Sequence, residues 1–91
     1  MNVIPTKDFE KSIKKLTDKI ALKRLSKLIE ELESAQSLTQ ISNVAPITNH
    51  QLIFRITRGD FRLIVEYIKG DINILLLEYV RRNENTYKNY K

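Results

Sequence analysis

The sequence predicts an α+β fold: two N-terminal helices packed on a small twisted, mainly antiparallel β-sheet, closed by a short C-terminal helix or tail. Three observations carry that expectation. Apolar residues recur at helical spacing as far as Leu32, they alternate along three runs between Gln51 and Val80, and both glycines of the chain fall between those runs. At 91 residues and 42% hydrophobic, residues 1–91 suit one domain with one core.

Phe9, Ile13, Leu16 and Ile20 follow one another at steps of four, three and four, which lines one face of a helix and predicts a first helix from about Thr6 to Leu16. Leu22, Leu25, Leu28, Ile29 and Leu32 repeat the pattern, with Lys19, Lys23, Lys27, Glu30 and Glu31 on the other faces. Thr17 or Asp18 is placed to cap this second helix by accepting an orphan backbone N–H. Two helices in succession fit an αα-hairpin whose apolar stripes face one another and a sheet beneath.

From Ala35 to Asn49 the chain is polar and aperiodic, a long connection with room for one helical turn at Leu38 to Ile41. Three β-rich runs follow, Gln51 to Thr57, Phe61 to Lys69 and Ile72 to Val80, separated by Arg58-Gly59-Asp60 and Lys69-Gly70-Asp71. Glycine tolerates the positive φ of tight hairpin turns, so a three-stranded antiparallel meander is expected. Alternation sets Leu52, Phe54 and Ile56 against Ile53, Arg55 and Thr57, and Phe61, Leu63, Val65 and Tyr67 against Arg62, Ile64, Glu66 and Ile68. Asn83 to Lys91 is polar, with Tyr87 and Tyr90.

Composition removes several classes of function. With no cysteine there is neither a disulfide framework nor a thiolate metal site, and one histidine cannot assemble a zinc site without carboxylates, so neither metal nor cofactor is expected. The longest apolar run, Ile74 to Leu77, is far short of a bilayer span, and the first residues hold no long apolar stretch, so a cytoplasmic protein without membrane contact is expected. A net charge of +5 and a pI near 9.6 favour polyanionic partners.

Five of the six arginines, Arg55, Arg58, Arg62, Arg81 and Arg82, lie in the β half, whereas seven of the ten lysines lie between Lys7 and Lys27. A guanidinium stays charged and offers planar paired donors to phosphate oxygens, so arginines on neighbouring strands make a phosphate-binding surface. The alternative is a set of ordinary charges on a solvated sheet face. Lys7 to Lys27 holds eight basic against three acidic residues, which suits contact with an RNA backbone through residues such as Lys23 and Lys27, or equally a solvated helix face. Glu66 and Glu78 read as cross-strand partners for arginine rather than as a carboxylate pair. His50 is a candidate general acid or base, the alternative being a polar residue that closes the loop.

Three segments in this order resemble the RelE/ParE superfamily of bacterial toxins: Phe9-Glu10-Lys11-Ser12-Ile13-Lys14-Lys15-Leu16, then Phe54-Arg55-Ile56-Thr57-Arg58-Gly59-Asp60-Phe61-Arg62-Leu63, then Arg81-Arg82 followed by Tyr87-Lys88. The middle segment is the most specific, being similar to the family's aromatic-Arg-Ile-x-x-Gly-Asp-aromatic-Arg hairpin. The resemblance covers almost the entire chain. It implies the toxin half of a type II toxin–antitoxin system, an mRNA interferase of the RelE branch that arrests growth by inhibiting translation, cutting mRNA usually on the ribosome.

In that branch basic residues on the sheet bind the scissile phosphate while the ribose 2′-hydroxyl attacks it. Carried onto this chain, the resemblance implies Arg55, Arg62, Arg81, Arg82 and Tyr87 as the catalytic set and Arg58 and Lys88 as further RNA contacts. Arginines beside Tyr87 favour its phenolate, which makes it a chemically reasonable base. Some relatives have lysine or histidine where this chain has Thr57 or Val80, which leaves the acid and the base open. Strand alternation groups Arg81 with Leu75, Leu77 and Tyr79 and does not choose between Arg81 and Arg82.

The expected partners are a cognate antitoxin whose flexible acidic segment wraps the toxin, mRNA and the ribosome. Two alternatives stand beside this reading. One is the ParE branch, which shares the fold and inhibits DNA gyrase by protein contact. The other is a non-catalytic module whose basic surface binds RNA or an acidic protein.

Overall fold

The computed structural model describes residues 1–47, 52–68 and 73–81. Its elements run β1 (Asn2–Pro5), α1 (Lys7–Lys14), α2 (Lys19–Ser34), a 3-10 turn (Leu38–Gln40), β2 (Val44–Pro46), β3 (Ile53–Arg58), β4 (Phe61–Ile68) and β5 (Asn73–Arg81). The strands form one five-stranded mixed sheet in the order β1-β5-β4-β3-β2, antiparallel except where β1 pairs with β5. The meander β3-β4-β5 is therefore the expected centre, extended at each edge by a short strand. Gly70 and the C-terminal helix or tail lie outside the described residues.

Local chemistry sets the helix boundaries. Thr6 caps α1, its Oγ1 accepting from the Phe9 N–H at 3.2 Å, and Asp18 caps α2, its Oδ1 accepting from Ile20 and Ala21 at 3.0 and 3.1 Å. The cap at Asp18 places Ile20 in the first turn of α2, exposed, rather than on the stripe of the first helix. The Met1 amino group donates to the carbonyls of Leu32, Glu33 and Ala35, which puts a positive charge on the negative end of the α2 dipole.

Both helices bury their stripes in the same core. Phe9 from α1 and Ala21, Leu25, Leu28 and Leu32 from α2 pack against Ile56, Phe61, Leu63, Val65, Ile74, Leu76 and Tyr79 of the sheet. Phe61 and Tyr79 stack with centroids 5.0 Å apart, and the Tyr79 hydroxyl donates to the Ala21 carbonyl at 2.8 Å, so one side chain anchors α2 to β5. Alpha helix α1 lies along the edge of β5 that β1 leaves bare. There Thr6 donates through both N–H and Oγ1 to the Leu76 carbonyl, and the Ser12 hydroxyl accepts from the Tyr79 N–H at 3.0 Å.

Two backbone features fix which side chains share a face. Gly59 takes φ +60 in the β3–β4 turn, a conformation that favours glycine, and it sits against the end of the flexible Arg24 side chain. In β5 the register passes from Ile64↔Glu78 to Val65↔Leu76, leaving Leu77 as the extra residue of a bulge. The bulge shifts the alternation by one residue, so Arg81 and Tyr79 share the helix-facing side with Leu76 and Ile74. Leu75, expected on that side, belongs to the other face.

Candidate functional site

The face of the sheet turned away from α1 and α2 carries the site. Its rows follow from the register: Thr57 opposite Arg62 opposite Val80, then Arg55 opposite Ile64 opposite Glu78, then Ile53 opposite Glu66 opposite Leu75. Arg55 and Arg62 are thus diagonal neighbours on adjacent strands, roughly 7–8 Å apart at the backbone. Ile64 lies between Arg55 and Glu78 and is fully buried, giving the site an apolar floor.

Arg62 is the unusual member. It is only 7% exposed, the single buried charged residue among those described. Among the described residues its guanidinium makes one hydrogen bond, to the Phe61 carbonyl at 3.2 Å, and no ion pair. A buried guanidinium has five donors to satisfy, and leaving a charge without a counter-charge in a low-dielectric site is costly. The Phe61 carbonyl leaves most of those donors without an acceptor among the described residues.

The other residues expected at the site are distributed differently. Arg58 lies on the helix-facing side, opposite Phe61, with its guanidinium donating to the Ser42 and Thr57 carbonyls at 2.9 and 2.8 Å and to Glu31 of α2 at 3.1 Å. Arg81 also faces the helices, pairing with Asp18 at 3.7 Å and lying 4.7 Å over the Phe61 ring. The structure therefore separates Arg58 and Arg81 from the Arg55–Arg62 pair, and the bulge is the physical reason for Arg81. Lys23 and Lys27 are exposed on α2. His50, Arg82, Tyr87 and Lys88 lie outside the described residues.

Alternation along the hairpin found the Arg55–Arg62 pair, but nothing in the sequence signalled the depth of Arg62. Glu78 lies in the same cross-strand row as Arg55, with Ile64 between them. Tyr79, absent from the expected set, is structural; burial pushes its hydroxyl pKa above the ordinary 10.0, partly opposed by the nearby Arg24 guanidinium and reinforced by Asp18. Among the described residues no three of His, Cys, Asp and Glu gather to hold a metal ion. None of the described helices is long and apolar enough to cross a membrane.

The architecture has close counterparts among solved structures. A chain of the RelB–RelE antitoxin–toxin complex from Methanococcus jannaschii superposes with a TM-score of 0.77 at 24% identity, covering 97% of this chain and 99% of that one. The archaeal RelE–RelB complex from Pyrococcus horikoshii OT3 gives 0.71 at 21% identity, covering 91% and 96%. The toxin–antitoxin complex RelBE2 from Mycobacterium tuberculosis gives 0.63 at 18% identity, covering 89% and 96%. No family model matches the sequence, and no curated protein matches it. At these identities the likeness is one of fold: two helices on a five-stranded mixed sheet, as in RelE.

Proposed function

We propose that this RelE-fold chain is the toxin of a type II toxin–antitoxin pair, an endoribonuclease that cleaves mRNA in the cytoplasm, on the ribosome. The observation that carries the proposal is Arg62, a buried cation with one carbonyl partner, set diagonally beside Arg55 on the sheet face turned away from the helices. Two guanidiniums held in that arrangement suit the charge that builds on a phosphorane.

In the proposed reaction the ribose 2′-oxygen bonds to phosphorus, the bond to the 5′-oxygen breaks, and the products are a 2′,3′-cyclic phosphate and a 5′-hydroxyl end. Arg55 and Arg62 hold the non-bridging oxygens, and Arg82 is a third cation by its resemblance to the family's arginine after the last strand. Tyr87 takes the 2′-hydroxyl proton, and His50 is the candidate to protonate the leaving 5′-oxygen. No metal or cofactor has a step in this sequence. Lys23 and Lys27 on α2, with Lys88, face ribosomal RNA, and a cognate antitoxin with an acidic, extended segment restrains the toxin, as the complexes of similar fold suggest.

Induction of the wild-type chain is expected to arrest growth and to produce new in-frame 5′ ends in mRNA. Arg62→Ala is expected to slow cleavage by about 10²–10³-fold, the loss typical when one transition-state donor is removed. Arrest with intact mRNA would replace this reading with gyrase inhibition. Absence of arrest would leave only a non-catalytic module.

A further inference from the structure

A groove of about 840 Å³ runs between α1 and the edge of β5, with Asp8, Lys11, Ser12 and Lys15 on one wall and Glu78, Tyr79 and Arg81 on the other. We infer that it is a second RNA-backbone subsite, in which Lys11 and Lys15 hold phosphates flanking the one bound by Arg55 and Arg62. This rests on the nuclease reading above.

Position argues first. Glu78 lines the groove and also stands in the cross-strand row of Arg55 and Ile64, so the groove opens onto the margin of the arginine site. A strand bound at the arginine pair and continuing past β5 enters it. Spacing argues second. Lys11 and Lys15 are one helical turn apart, with Cβ atoms about 5–6 Å from each other, so both ammonium groups face the same side of α1. Both residues are exposed, and among the described residues no ion pair holds either ammonium.

The backbone of β5 argues against an added peptide strand. Strand addition needs free edge groups on the sheet, whereas here α1 already occupies them: Thr6 bonds the Leu76 carbonyl and Ser12 accepts from the Tyr79 N–H. Recognition in this groove is left to side chains, and the pair of flexible, strongly hydrated ammonium groups suits phosphate. Arg81 also lines the groove, its charge already paired with Asp18 and its guanidinium over Phe61. Lysines in the last turn of a helix also suit its dipole, so the test reads RNA binding rather than stability.

The probe is a short single-stranded RNA with 2′-O-methyl riboses, which the chain can bind and cannot cleave. Its affinity is measured by fluorescence anisotropy across a salt series for three folded proteins: wild type, Lys11→Gln/Lys15→Gln, and Lys14→Gln/Lys19→Gln. The last pair carries the same charge change at exposed positions outside the groove. The groove variant is expected to bind on the order of tenfold more weakly, with the slope of log affinity against log salt smaller by about 1.4, two phosphates at about 0.7 each. The control variant is expected to stay close to wild type on this free RNA.

Equal effects of the two variants, or none, would overturn the inference while leaving a cleaving wild type in place. Unchanged RNA affinity with lost binding of a poly-glutamate peptide would assign the groove to a protein partner instead. A wild-type chain that neither binds the probe nor cuts mRNA removes the nuclease reading itself, and the subsite with it.

Discussion

The two faces of the sheet use the same side chain in opposite ways. On the helix-facing side Arg58 pairs with Glu31 of α2 and Arg81 with Asp18 at the N-cap of α2, and both guanidiniums remain partly exposed. On the opposite face Arg62 is buried with a single carbonyl partner among the described residues. The first arrangement fastens a helix to a sheet. The second leaves a buried charge with little compensation from the surrounding fold.

The sharpest way to break this comparison is to replace each kind of arginine with leucine. Arg62→Leu removes a poorly satisfied buried charge and fills the space with carbon, so unfolding in denaturant should show stability unchanged or raised by about 1 kcal/mol or more. Cleavage should fall by about 10²–10³-fold in the same protein. Arg81→Leu should do the reverse: it loses the Asp18 pair and the contact over Phe61, costing about 0.5–1 kcal/mol, while cleavage persists. A folded Arg81→Leu protein that no longer cuts RNA would erase the distinction between the faces.

How far these faces were legible in the sequence depends on the period of each segment. Strict alternation from Ile53 to Ile68 placed Arg55 and Arg62 together, and the helical spacing of Leu25, Leu28 and Leu32 marked the buried stripe of α2. The side of Arg81 was not legible, because the bulge at Leu77 shifts the alternation by one residue and no glycine or proline announces it. The edge strands were missed for a related reason. Asn2–Pro5 and Val44–Pro46 are four and three residues long, too short to display a period, and they exist by pairing with β5 and β3. Depth is a tertiary property as well, so the burial of Arg62 and the groove beside Lys11 and Lys15 had no local signal.

A smaller effect sharpens the helix-facing side. Tyr79 ties α2 to β5 through its hydroxyl bond to Ala21, within the core. Tyr79→Phe keeps the Phe61 stack and removes the bond to the Ala21 carbonyl, so thermal unfolding should report a loss of about 1 kcal/mol. The hydroxyl also sets a pH dependence. Its folded pKa is raised by burial above the ordinary 10.0, so the protonated form is the one the fold favours. That contribution is fully present below about pH 10 and is lost as pH rises through the raised folded value. The alkaline limb of the stability profile should therefore flatten in Tyr79→Phe, and an unchanged limb would mean that another group governs it.

The smallest expected effect belongs to the Arg58–Glu31 pair, and it tests whether the helix-facing arginines act by charge or by shape. Their side chains are 18% and 45% exposed, so water and salt screen the attraction. Glu31→Gln keeps the shape and removes the charge, and it should cost at most about 1 kcal/mol, less as salt is raised. Arg58→Met should cost more than Glu31→Gln, because it also releases the Ser42 and Thr57 carbonyls that the guanidinium bonds at 2.9 and 2.8 Å. Equal losses with identical salt dependence would make Arg58 a simple ion-pair partner. A larger, salt-insensitive loss for Arg58 would show that its work is to join the connection before β2 to the end of β3, a structural task distinct from holding phosphate.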